Sequence, residues 1–192
     1  MLKDLVLKNR SYRGYDSSVT ISRDELLELI DLARLCPSSV NRQPLRFLPA
    51  CDETTVKKIQ KETHWAKGLP EVELPHPGKE PSAFIVICQD VDADPNLNRY
   101  QRDVGIVAQT MLLGAVEKDL GGCMIGNFNA ASVKETLELD ENLQPLLIVA
   151  FGKPDEEIII TEPGKDGSVA YYRDDEDLHY VPKRSLEDIV IL

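Results

Sequence analysis

Two short runs constrain this chain more than any other feature: Ala83 to Cys88 (AFIVIC) and Leu146 to Phe151 (LLIVAF) are apolar without interruption and rich in β-branched residues. A strand with water on one face alternates apolar and polar side chains, so an unbroken run of this length predicts a strand buried on both faces. Between them, Val104 to Lys118 is apolar almost all round, with Val107, Ala108, Met111, Leu112 and Ala115 on one side. A helix of that kind is central in its domain or in a dimer. Ser22 followed by Glu25 is a capping box, and Leu26, Leu29, Ile30 and Ala33 mark one face of a helix reaching about Leu35. Leu2, Leu5 and Val6 predict a short first helix, Arg46 to Ala50 a short strand and Thr54 to Lys61 a modest helix. Gly121-Gly122 is expected to end the central helix, after which Asn129 would cap a helix near Ala131 to Leu139. The tail from Glu162 to Tyr180 reads as polar and acidic, leading to a last apolar strand or turn. The layout is α+β, a single domain over 1–192, with helices on buried strands and no regular βαβ alternation.

Charge narrows the partners. The chain has 22 basic and 33 acidic residues, a formal net charge of -11, which should repel nucleic acid and anionic membranes. No apolar run approaches the ~20 residues that span a bilayer, so a cytoplasmic location is expected. Against this acidic background, basic residues gather at Lys8, Arg10 and Arg13 and again at Lys183 and Arg184. Two basic clusters on an acidic protein suggest a specific small anion.

The common catalytic motifs are missing: there is no HExxH, CxxC, GxSxG or GxxxxGK[ST], and Gly121-Gly122 lacks the spacing of a dinucleotide-binding loop. The four cysteines show neither a disulfide framework nor zinc spacing, and the three histidines, His64, His76 and His179, have no sequence partners. No metal site and no acid–base dyad is therefore expected.

Arg10-Ser11-Tyr12-Arg13 places two guanidiniums and a hydroxyl at a helix end, and planar guanidinium forks suit phosphate oxygens. Alone, it also reads as a solvated basic turn. Pro37, Ser38 and Ser39 with Asn41 and Gln43 supply hydroxyls and amides that suit a polyol or a ring bearing imide and carbonyl groups, and alone read equally as a capping loop. Thr63 to Pro81 carries four prolines, two glycines and the sole Trp, Trp65, and reads as a long irregular excursion.

Taken together, these segments resemble the nitroreductase family. The opening signature is matched by Arg10-Ser11-Tyr12-Arg13 and the Pro-Ser-x-x-Asn-x-Gln-Pro loop by Pro37 to Pro44. Asp103-Val104-Gly105 with Gln109 and Leu112 to Ala115 is similar to the central helix, Leu120 to Gly126 to the glycine loop, and Gly152-Lys153-Pro154 and Lys183-Arg184 to the closing motifs. Asn9 stands where many members carry another arginine, and Leu45 where they often have Trp. The resemblance implies a mostly antiparallel sheet flanked by helices in a homodimer with FMN at the subunit interface. Arg10, Ser11, Arg13, Lys183 and Arg184 would hold the cofactor from one subunit, and Pro37, Ser38, Ser39, Asn41 and the loop's Gln43 from the other. Met124, Ile125 and Gly126 would lie against the isoalloxazine and offer a backbone N–H near N5. The implied activity is hydride transfer from NAD(P)H through the flavin to a small acceptor such as a nitroaromatic or quinone. The alternatives are a reductive dehalogenase of the same superfamily and a flavin-binding or flavin-storage module without turnover.

Overall fold

The computed structural model describes residues 1–191. Its central sheet has β2 (Ala83–Asp90) and β4 (Leu143–Gly152) in the middle, β1 (Leu45–Ala50) beside β2 and β3 (Gly121–Ile125) beside β4, every neighbouring pair antiparallel. Ile85 lies opposite Val149 and Ile87 opposite Leu147. Alternate residues of one strand feed two different cores. Ile85, Ile87, Val149 and Phe151 pack against α2 (Arg23–Arg34) and α4 (Gln101–Glu117), together with Leu26, Leu29 and Met111. Phe84, Val86, Ile148 and Ala150 face the other way, toward Ile59 of α3 (Glu53–Glu62) and Val133 of α5 (Ala130–Thr136). Side chains alternate across a strand, so a layer on each side demands apolar residues at every position. Each large apolar side chain removed from water there contributes roughly 1.5–3 kcal/mol.

The helix ends follow local chemistry. Ser22 Oγ accepts from the Glu25 N–H at 3.2 Å, and the Glu25 carboxylate accepts from the Ser22 N–H at 2.8 Å. The bonds that the Glu25 carboxylate accepts from the Ser22 N–H and from the Ser22 hydroxyl, the latter at 2.7 Å, hold it below its ordinary pKa. Asn129 Oδ1 accepts from the N–H groups of Ala131 and Ser132 at 3.0 and 3.1 Å. The helix it caps stops at Thr136, short of the expected Leu139.

Gly121-Gly122 does not end the central helix. That helix stops at Glu117, Asp119 makes the left-handed turn with φ 56°, and the two glycines open β3. Asp visits that region more readily than most residues. Gly122 is needed for close approach: a Cβ there would stand 2.2 Å from the Ala150 carbonyl oxygen and 2.7 Å from Leu112 Cδ2.

Before the sheet, α1 (Leu2–Lys8) leads into an extended segment in which Ser11 bridges Gly122 and the Tyr12 N–H donates to the Gly122 carbonyl at 3.1 Å. Residues 11 and 12 thus run along β3, at the edge of the sheet. The polar tail also departs from the sequence reading. With the strand just before it, it forms a second sheet in which β7 (His179–Pro182) lies between β5 (Ile158–Thr161), parallel to it, and β6 (Tyr172–Arg173), antiparallel. The last element is a short helix, α6 (Leu186–Ile189), capped by Ser185 and Asp188, where a strand or turn was expected. The excursion after Thr63 has no helix or strand up to Pro81. Among the described residues no helix is long and apolar enough to cross a membrane.

Candidate functional site

The extended run after α1 brings the first basic cluster to the end of β3. Backbone alternation presents Ser11 and Arg13 to a cavity of about 370 Å³, while Tyr12 turns away over Gly121, where a Cβ would be 2.5 Å from its ring. Tyr12 Oη donates to the Lys8 carbonyl at 2.8 Å, fixing that side. Arg10 borders the same cavity, its Nη2 on the Val6 carbonyl at 2.6 Å and its Nε buried without a partner. Lys183 enters from the far end of the chain, its backbone N–H held by the Thr161 carbonyl at 2.8 Å. Gln109 and Leu112 of the central helix and Met124 of β3 complete this wall. Among the described residues, none that lines the cavity bears a carboxylate, on a chain whose net charge is -11. The electrostatics suit an anion.

Behind the cavity lies a buried ionic cluster that sequence reasoning missed. Glu156 accepts from the Arg13 backbone N–H and from Arg173 Nη2, and the side chains of Glu156 and Arg173 are each 5% exposed. Arg173 Nη1 also reaches Asp177 Oδ1 at 3.0 Å. His179, 1% exposed, stands with Nδ1 3.9 Å from Glu156, beyond hydrogen-bond reach, and neither ring nitrogen has a partner. Burial first, then the Arg13 and Arg173 charges, push its pKa down to about 4, so the imidazole is neutral near pH 7. One sequence signal could have found it: His179, Val181 and Lys183 alternate, and all three line the cavity.

Met124, Ile125 and Gly126 bound a second cavity of about 160 Å³, which shares Arg13, Met124 and Tyr171 with the first. Its opposite wall is His64 to Lys67 of the excursion, tied down by the His64 N–H on the Asn127 carbonyl at 2.9 Å. Trp65 packs on the second core and donates from Nε1 to Thr63 Oγ1 at 2.9 Å, so this indole is partly a packing plug. Burial pushes the Cys123 thiol up to about 11 and Cys88 to about 12, which leaves neither as a thiolate near neutral pH.

The structure places the Pro37 to Pro44 loop elsewhere. Asp103, only 5% exposed, accepts from Ser38 Oγ at 2.7 Å and from the Ser39 N–H at 3.0 Å. Ser38 Oγ in turn accepts from the Gln43 N–H at 3.1 Å, and Gln43 Nε2 donates to Asn41 Oδ1 at 3.0 Å. Val40, Asn41 and Gln43 take left-handed φ values of 47°, 54° and 53°, which folds the loop tightly over the start of α4. Pro37, Ser38 and Gln43 line their own cavity of about 180 Å³ beside Asp103. One chain therefore unites Arg10, Ser11, Arg13, Met124 and Lys183, leaves Ile125 and Gly126 on the adjoining cavity, and keeps Pro37, Ser38, Ser39, Asn41 and Gln43 apart. Arg184 is exposed and outside the residues that line the larger cavity.

Comparison with known proteins bears on this arrangement. A family model described as "Nitroreductase family" matches residues 6–153. The chain is 27% identical over 162 residues to an Archaeoglobus fulgidus protein provisionally named NADH dehydrogenase/NAD(P)H nitroreductase, covering 80% of this chain and 85% of that one. It is 25% identical over 189 residues to an oxygen-insensitive NADPH nitroreductase of Helicobacter acinonychis, covering 79% and 86%. A provisionally named nitroreductase of Exiguobacterium sibiricum, solved in complex with FMN, shares the fold with a TM-score of 0.68 at 20% identity, over 81% of this chain and 89% of its own.

Proposed function

The chain belongs to the nitroreductase family, and from that premise we propose that it is an FMN-dependent oxidoreductase that works as a homodimer with NAD(P)H as electron donor. The observation that carries the reading is the carboxylate-free cavity in which Arg10, Arg13 and Lys183 converge, with the Arg10 Nε buried and unpartnered. A buried donor without a partner is costly, and a phosphate oxygen would satisfy it. Arg10, Arg13 and Lys183 would hold the phosphate end, Ser11 the polyol, and the backbone of Met124 to Gly126 the ring. When bound, the cofactor supplies reversible hydride transfer between a reduced nicotinamide and a small acceptor such as a nitroaromatic or quinone. The protein's part is to bind, orient and exclude water. His179, neutral above its pKa of about 4, offers no proton to that chemistry near pH 7.

Two features support the dimer. Leu2, Val6 and Leu7 of α1, Ile106 of α4 and Leu186 and Ile189 of α6 are all exposed, and α1 buries no residue at all. Apolar faces of that extent mark interaction surfaces. In this reading the Asp103-anchored loop, with Ser38, Ser39 and Asn41, reaches the partner's cofactor. The test is an anaerobic absorbance titration of the purified protein. It should be yellow, sediment as a dimer, bleach on addition of NADPH or NADH, and recover colour with a nitroaromatic or quinone. A colourless monomer that cannot be loaded with FMN would overturn the reading.

A further inference from the structure

Tyr171 touches both cavities. It also lies beyond residue 153, where the family match ends. The Arg13 guanidinium sits over its ring, 5.2 Å from the centroid. In the other direction its hydroxyl accepts from the Gly68 N–H at 3.1 Å. The approach is so close that a Cβ on Gly68 would be 2.7 Å from that oxygen. His179 packs edge-on against the ring, with centroids 5.6 Å apart at 65°. One stiff side chain therefore runs from the cation of the larger cavity to the peptide that closes the smaller one.

The ring and the hydroxyl have separable duties. A guanidinium over an aromatic face is attracted to it and loses freedom, which lowers the entropy cost of then meeting an anion. The hydroxyl holds the 67–68 peptide, and through it the wall formed by His64 to Lys67. We propose that Tyr171 is a positioning residue that aligns Arg13 through its ring and latches the His64 to Gly68 wall through its hydroxyl, so that filling of the larger cavity and closure of the smaller one favour each other. This rests on the reading that Arg13 contacts FMN. Coupling between two sites is reciprocal, so an effect of FMN on the wall implies an equal effect of the latch on FMN affinity.

Trypsin provides a direct probe, because the latched peptide bond follows Lys67, which is exposed. The full chain, its Y171F and its Y171L variants are digested with and without FMN, and cleavage after Lys67 is followed by mass spectrometry against cleavage after the exposed Lys165. Loss of one neutral hydrogen bond should speed cleavage after Lys67 about fivefold in Y171F and leave Lys165 unchanged. FMN should protect Lys67 in the wild type and protect it less in Y171F. Y171L should also weaken FMN binding, read by flavin fluorescence, about three- to tenfold, whereas Y171F, which keeps the ring and loses only the latch, should lose less, by no more than the factor by which FMN protects Lys67 in the wild type. Thermal melts of all three proteins establish that each is folded. Equal Lys67 cleavage in the wild type and Y171F, or an unchanged FMN affinity in Y171L, would overturn the proposal. A wild type that binds no FMN would overturn the cofactor reading itself, and is told apart because it appears before any substitution is made.

Discussion

The central sheet and the small sheet after residue 154 are held together by opposite means. In the first, β2 and β4 are apolar on both faces and packed between two pairs of helices. In the second, the strands are short, and the buried contacts are ionic: Glu156 between Arg173 and the Arg13 backbone, with Asp177 on the rim. The first depends on area removed from water and the second on pairing of charge, so they should fail under different stresses. The cavity lies where they meet, taking Met124 from one and His179 and Lys183 from the segment of the other.

The sharpest break should come from Glu156→Ala. It leaves the buried Arg173 guanidinium with only the half-exposed Asp177 as its acid, and removing one partner of a buried pair costs up to about 3–5 kcal/mol. Urea unfolding should show that loss, against roughly 0.5–1.5 kcal/mol for Ile87→Val in the central sheet. A Glu156→Ala loss smaller than that of Ile87→Val would mean that the small sheet is not held by its charges.

The next effect is on acid stability. His179 has a folded pKa lowered from 6.5 to about 4. Its contribution is therefore complete above pH 6.5 and is lost as pH falls from there toward 4, because the unfolded chain takes up a proton that the folded one does not. At 1.36 kcal/mol per unit the loss is on the order of 3 kcal/mol. In His179→Phe, stability should fall less steeply between pH 6.5 and 4. A slope identical to that of the wild type would show that the folded chain protonates the imidazole as readily as the unfolded one does.

The smallest of the three concerns the loop on the central body. Asp103→Asn replaces charge-assisted bonds to Ser38 and Ser39 with neutral ones, a loss of about 1 kcal/mol. The loop should exchange its Ser39 amide hydrogen faster while the small sheet is unaffected. If the small sheet loosened as well, the two regions would not be independent.

What could be read from sequence follows the same division. β2, β4, α2 and α4 were legible because burial on two faces, or on one helical stripe, writes itself into neighbouring residues. The small sheet was not: β6 is Tyr172–Arg173 alone, and the contact that matters there joins Arg13 to Glu156, which no local pattern encodes. Gly121-Gly122 was misread for a related reason. Glycine marks either a turn or a close approach, and only the Ala150 carbonyl across the strand decides which. Family resemblance named Arg10, Arg13 and Lys183, and the fold brings them together. It did not reveal that Asp103 secures Ser38, nor that Tyr171 and His179 stand in the wall.

The segment that carries Ser11 and Tyr12 has a second consequence. β3 is the last strand on its side of the sheet, and an open strand edge is a template on which another chain can add itself. The Ser11 bridge and the Tyr12 N–H bond to Gly122 occupy that edge, while the opposite one, β1, carries Pro49 and Arg46. Ser11 thus lines the cavity and, with Tyr12, forms a selvedge that keeps the sheet from growing, so a lesion that frees this segment should both open the cavity wall and promote self-association.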